Sequence, residues 1–122
     1  MHVFVTGGTG TIGSAVVAEL LATGHTVLAL ARSDGSAKTL ESAGAEVLRG
    51  DLADLDVLRS GAARCDGVIS LAFGRDYDSA DGLARAIAEE SAALTALARE
   101  LEGSDRPIVT VASTPQVPGR AA

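Results

Sequence analysis

The sequence predicts an α/β fold: a doubly wound parallel sheet of about five strands with helices on both faces. Three observations carry that expectation. Short β-rich runs alternate with longer helical stretches along all 122 residues. The strand candidates are unbroken apolar runs rather than alternating ones, the pattern of strands covered on both faces and therefore parallel. A glycine cluster stands between the first strand and the first helix, where the chain must turn tightly. The length fits one compact domain over residues 1–122, and a chain that is 47% hydrophobic has the apolar material for its core.

Taken in order, Val3-Phe4-Val5 is the first strand, followed by a helix from Ile12 to Thr23. Ile12, Val16 and Leu20 share one side of that helix and Ala15 and Glu19 the other, so the first set is expected to pack, and Gly24 to end the helix. Thr26 to Leu30 reads as the second strand, with a helix from Gly35 to Ala43. Ala45 to Leu48 is the third strand, before a helix from Leu55 to Ala63. Gly67 to Leu71 is the fourth, leading to a long helix from about Ser79 to Glu102, and Ile108 to Val111 is the fifth. In the long helix Leu83, Ile87, Leu94, Ala98 and Leu101 form an apolar stripe, with Arg85, Glu89, Arg99 and Glu100 on the solvated side. The stripe reads first as core and second as a homodimer seam. Right-handed crossovers leave few windings, and the expected strand order is 3-2-1-4-5, a Rossmann-type sheet.

Charge and cysteine content narrow the partners. Sixteen acidic residues against 10 basic give a net charge of −6, and the basic residues are scattered singly, so neither nucleic acid nor an anionic membrane surface is expected. Cys65 is the sole cysteine, which excludes an intramolecular disulfide and a cysteine-based zinc site. It reads as a small apolar residue leading into the fourth strand. His2 and His25 lack metal-ligand spacing, and Asp76, Asp78 and Asp81 lack the spacing of a calcium loop, so no metal is expected. No run reaches the ~18 apolar residues of a membrane span and no secretory leader is visible, which points to the cytoplasm.

The chemistry is concentrated in Thr6-Gly7-Gly8-Thr9-Gly10-Thr11-Ile12-Gly13. Two spacings fit at once, Gly8-x-Gly10-x-x-Gly13 and Gly7-x-x-Gly10-x-x-Gly13. An early glycine turns the chain out of the strand, Gly10 lets backbone approach a pyrophosphate, and Gly13 lets helix and sheet pack closely. The free N–H groups of Thr11, Ile12 and Gly13 at the helix start then face the phosphates of a dinucleotide. At the end of the second strand stand Arg32 and Ser33 rather than an acid. A guanidinium there pairs with a 2′-phosphate and stacks on adenine, which favours NADP. In the alternative, Asp34 accepts from the ribose hydroxyls and the cofactor is NAD.

The segment from Thr6 to Gly13 resembles the glycine motif of the short-chain dehydrogenase/reductase superfamily, and within it the extended and atypical branches of NAD(P)-dependent epimerase/dehydratase-like proteins. The resemblance spans essentially the whole chain. It implies that the Asp51 side chain and the Leu52 backbone touch the adenine, and that Leu71-Ala72-Phe73 passes beneath the nicotinamide ribose. It further implies that Thr114, or second Ser113, hydrogen-bonds the reacting oxygen of a small-molecule carbonyl or alcohol.

The sequence departs from that family at its general acid/base. Members use a Tyr-x-x-x-Lys pair, in which the lysine lowers the tyrosine pKa. Here the single tyrosine is Tyr77 and the single lysine Lys38, so the chain has no such pair. The expectation is therefore the N-terminal, cofactor-binding part of a longer oxidoreductase, inactive by itself. The alternatives are a non-catalytic dinucleotide-sensing module resembling the NmrA-like regulators, and an epimerase or dehydratase.

Overall fold

The computed structural model of the chain describes residues 1–8, 11–71 and 80–110. Five strands, β1 (His2–Thr6), β2 (Thr26–Ala31), β3 (Glu46–Arg49), β4 (Gly67–Ser70) and β5 (Ile108–Thr110), alternate with four helices, α1 (Thr11–Ala22), α2 (Asp34–Ala43), α3 (Leu55–Ala63) and α4 (Ala80–Leu101). All four strand pairings are parallel and the order is β3-β2-β1-β4-β5, as the alternation predicts. Register aligns Val5 with Ala29 on one side and with Ile69 on the other.

Successive side chains of each strand enter opposite cores, which is why the strands read as continuous apolar runs. Phe4, Leu28, Leu30 and Val68 face α3 and α4, packing with Leu52, Leu58, Cys65 and Leu97. Val3, Val5, Val27, Ala29 and Ala31 face α1 and α2, packing with Val17, Ala37 and Leu40. Val109 of β5, in register with Ile69, remains 52% exposed.

Two packing expectations are corrected. α1 inserts Val17, with Leu20 and Leu21 beside it, whereas Ile12 is 55% exposed because it lies in the first turn, beyond the end of β1. Among the described side chains of α4 the buried ones are Ala93, Ala96, Leu97 and Leu101, so of the expected stripe Leu101 is buried, Leu94 half-buried and Ala98 exposed, while the Leu83 and Ile87 side chains lie outside the described residues. Strand β1 is longer than expected by a residue at each end.

Arg106, just before β5, fastens the two helices on one face. Its Nη1 donates to the carbonyls of Ala62 (3.0 Å) and Cys65 (3.2 Å), and its Nη2 to that of Glu100 (3.0 Å). At the amino edge of the sheet His2 Nδ1 meets Thr26 Oγ1 at 2.7 Å, His25 Nδ1 lies 3.2 Å from the Met1 amine, and Asp66 accepts from the His2 N–H at 2.8 Å. Both histidines thus serve structure at the end of the sheet remote from the glycine turn. Among the described residues there is no group of three metal ligands and no helix long and apolar enough to cross a membrane.

Candidate functional site

The carboxyl ends of β1 and β4 diverge into separate connections, and the crevice between them is where open α/β sheets take ligands. Its floor is tied by a buried pair, Thr6 Oγ1 and Ser70 Oγ at 3.2 Å. The Leu71 N–H donates to both the carbonyl and the hydroxyl of Thr6, at 3.0 and 3.2 Å. This clasp fixes the point where the chain leaves β4 relative to the glycine turn leaving β1. Sequence reading missed it, since the pairing depends on register between residues 64 apart.

Gly7 turns the chain at φ +78°, the left-handed region that side chains disfavour. A Cβ on Gly13 would lie 1.8 Å from the Gly7 carbonyl oxygen and 3.0 Å from the Gly8 Cα, so the start of α1 rests directly on the loop backbone. Gly7 thus makes the turn out of β1, Gly13 allows the close approach of α1 to the loop backbone, and Gly8 is buried against Leu40 and Val17. The first turn of α1 carries no acidic residue, whereas those of α2 and α3 carry Asp34 and Asp56. In α1 no acidic side chain of the first turn offsets the partial positive charge of the helix start. Gly10 and the Thr11 side chain lie outside the described residues.

Beside this turn, Arg32 emerges exposed from the tip of β2, and among the described residues its guanidinium has no hydrogen-bond or ion-pair partner. Ser33 caps α2, accepting from the Ser36 N–H at 3.2 Å. Asp34, the alternative ribose acceptor, is paired with Arg49, Nη1 to Oδ1 at 2.6 Å. After β3, the Asp51 N–H donates to Asp54 Oδ2 at 2.9 Å, and Asp54, not Asp51, is the N-cap residue of α3. The Asp51 carboxylate has no partner among the described residues, and the Leu52 side chain is anchored in the core, which fixes the backbone of this turn. Cys65 is also buried; desolvation pushes its thiol up to about 11, with the Arg64 charge opposing, so it is inert at neutral pH. Ala72, Phe73, Tyr77, Ser113 and Thr114 lie outside the described residues.

Residues 1–94 match the NmrA-like family. The chain belongs to that family. Its structural neighbours lie in the short-chain dehydrogenase/reductase and epimerase superfamily, and the family binds nicotinamide dinucleotides. Among relatives of this NmrA-like chain, an uncharacterised protein of Saccharomyces cerevisiae is 42% identical over 111 residues, covering 89% of the chain and 36% of the yeast protein. A 4-hydroxy-2-methyl-3-oxo-4-farnesyl-3,4-dihydroquinoline-1-oxide ketoreductase of Stigmatella aurantiaca is 39% identical over 66 residues, 54% of the chain and 20% of that enzyme. The fold matches a UDP-glucose 4-epimerase from Stenotrophomonas maltophila, solved with bound NAD, at TM-score 0.73 and 23% identity, over 90% of the chain and 36% of that protein. The NmrA-like chain thus spans little more than a third of its yeast relative.

Proposed function

We propose that this chain is the NADP(H)-binding, N-terminal portion of an oxidoreductase that acts on the carbonyl or alcohol of a small molecule. The observation that carries the reading is the glycine cradle. The start of α1 is seated on Gly7 and Gly8 with no acidic side chain in its first turn, beside an Arg32 free to meet a 2′-phosphate.

The residues present fit such a cofactor. Gly7 and Gly10 would let the pyrophosphate close on the backbone, and the N–H groups of Thr11, Ile12 and Gly13 would hold its oxygens. Arg32 and Ser33 would take the adenosine phosphate, Asp51 and Leu52 the adenine, and Leu71, Ala72 and Phe73 the nicotinamide side of the crevice. Ser113 or Thr114 would polarise the substrate oxygen by hydrogen bonding. The nicotinamide, once bound, supplies the hydride chemistry. With no Tyr-x-x-x-Lys pair in its 122 residues, the chain positions the cofactor but lacks the usual general acid. The relation to a ketoreductase supports the oxidoreductase reading.

A second reading, a non-catalytic dinucleotide sensor, draws support from the NmrA-like match. Turnover by the full-length protein separates the two: NADPH consumption with carbonyl substrates supports the enzyme, and binding without turnover supports the sensor.

Calorimetric titration with NADPH and NADH in one buffer tests the site. NADPH is expected to bind more tightly, and Arg32→Asp to weaken it by about 1.5–3 kcal/mol, the value of a charge-assisted bond, with NADH little changed. Binding of neither by a folded chain, or an unchanged preference in Arg32→Asp, would overturn the NADP assignment.

A further inference from the structure

The tips of β2 and β3 carry a charge arrangement that the reading above leaves unused. Arg49, the last residue of β3, is in register with Ala31, so it stands beside the strand end from which Arg32 emerges. Its guanidinium does not turn to solvent alone. Nη1 donates to Oδ1 of Asp34, at 2.6 Å, and Asp34 opens α2 two residues after Arg32. The partners are 51% and 90% exposed, so core packing does not impose this geometry. Two cations and one anion therefore share the edge where the adenosine ribose is placed.

The anion is the awkward member. A carboxylate at this edge accepts hydrogen bonds from a ribose diol and repels a phosphate, so an unrestrained Asp34 works against the preference that Arg32 confers. We propose that Arg49 sets the choice between NADP and NAD by holding Asp34: the ion pair neutralises the carboxylate and draws it toward β3, leaving Arg32 to meet the 2′-phosphate. Arg49 is a positioning residue that acts through Asp34. The inference rests on the NADP(H) reading of this site and adds to it the residue that keeps the competing acid out of play.

The test is a double-mutant cycle read by calorimetric titration of NADPH and NADH into the chain as it stands, Arg49→Met, Asp34→Asn and the double variant, with thermal melts confirming that each is folded. Methionine keeps the apolar stem of Arg49 and removes the charge. Arg49→Met is expected to lower the NADPH-to-NADH affinity ratio about two- to fivefold, the scale of an exposed ion pair. In the Asp34→Asn background the same change is expected to have no effect on the ratio. A ratio that falls equally in both backgrounds would mean that Arg49 meets the phosphate itself, and would overturn the proposal. So would an unchanged ratio in Arg49→Met while Arg32→Asp still collapses NADPH binding, an outcome that leaves the NADP(H) reading intact. A chain that prefers NADH, or is indifferent to Arg32→Asp, would remove both.

Discussion

On the α3/α4 side of the sheet the fully buried side chains include the large Phe4, Leu28, Leu58 and Leu97 beside the smaller Val68, Ala62 and Ala93. On the α1/α2 side, Leu40 apart, they are valines and alanines. The two sides also use glycine differently. On the first, Gly61 of α3 faces the Phe4 ring, where an added Cβ would come within 2.5 Å of ring carbon. On the second, Gly13 lets backbone rest on backbone. Large apolar side chains bury most area and supply most of the hydrophobic stabilisation. Small ones accompany the close approach of α1 to the end of β1, where Gly13 rests on Gly7 and Gly8. In the proposed reading one face holds the domain together and the other shapes the cofactor site, and substitutions should separate the two tasks.

The largest effect is expected on the stabilising face. Phe4→Ala should cost about 3–5 kcal/mol, the range for emptying a buried aromatic site, seen as a lower urea midpoint with unchanged NADPH affinity in the fraction that stays folded. A loss of affinity larger than the unfolded fraction explains would erase the division between the faces. Gly13→Ala should act the other way. Its Cβ would meet the Gly7 carbonyl, so NADPH binding is expected to fall about a hundredfold, near 2.7 kcal/mol, in a protein that still melts cooperatively. Retained binding would mean that the close seat of α1 is irrelevant to the ligand.

A smaller effect belongs to the Cys65 thiol. Burial pushes it up to about 11 in the folded chain, from the ordinary 9.0 that the unfolded chain keeps. Below the lower value both states hold the proton and the thiol leaves stability independent of pH. Between the two values the unfolded state releases it while the folded state does not, so stability is lost as pH rises, by up to about 2 kcal/mol. Urea melts from pH 8 to 11 should show a shallower decline in Cys65→Ala than in the parent chain; parallel curves would place the thiol in water.

Much of this was legible in the residues. Unbroken apolar runs marked strands with two covered faces, and the handedness of crossovers then fixed the order. The ends of α3, Leu55 and Ala63, were read correctly. The face of α1 was not, because a helical wheel assumes sheet beneath every turn and the turn bearing Ile12 projects past β1. In the site, the glycine turn, Arg32 and Asp51 announce themselves by position along the chain. The Thr6–Ser70 clasp and the Asp34–Arg49 pair do not, because each joins different elements and depends on register. Ala72, Phe73, Ser113 and Thr114 stand as proposals resting on resemblance.

Arg106 binds carbonyl groups 41 and 44 residues upstream as well as one at the end of α4. Contacts so distant in sequence wait until α3, α4 and the approach to β5 have all arrived, and loop closure makes such contacts late events. Interactions absent from the folding transition state slow escape from the native basin without hastening arrival. A single guanidinium thereby ties the approach to the last strand to the ends of two helices, and its loss is expected to speed unfolding more than it slows folding.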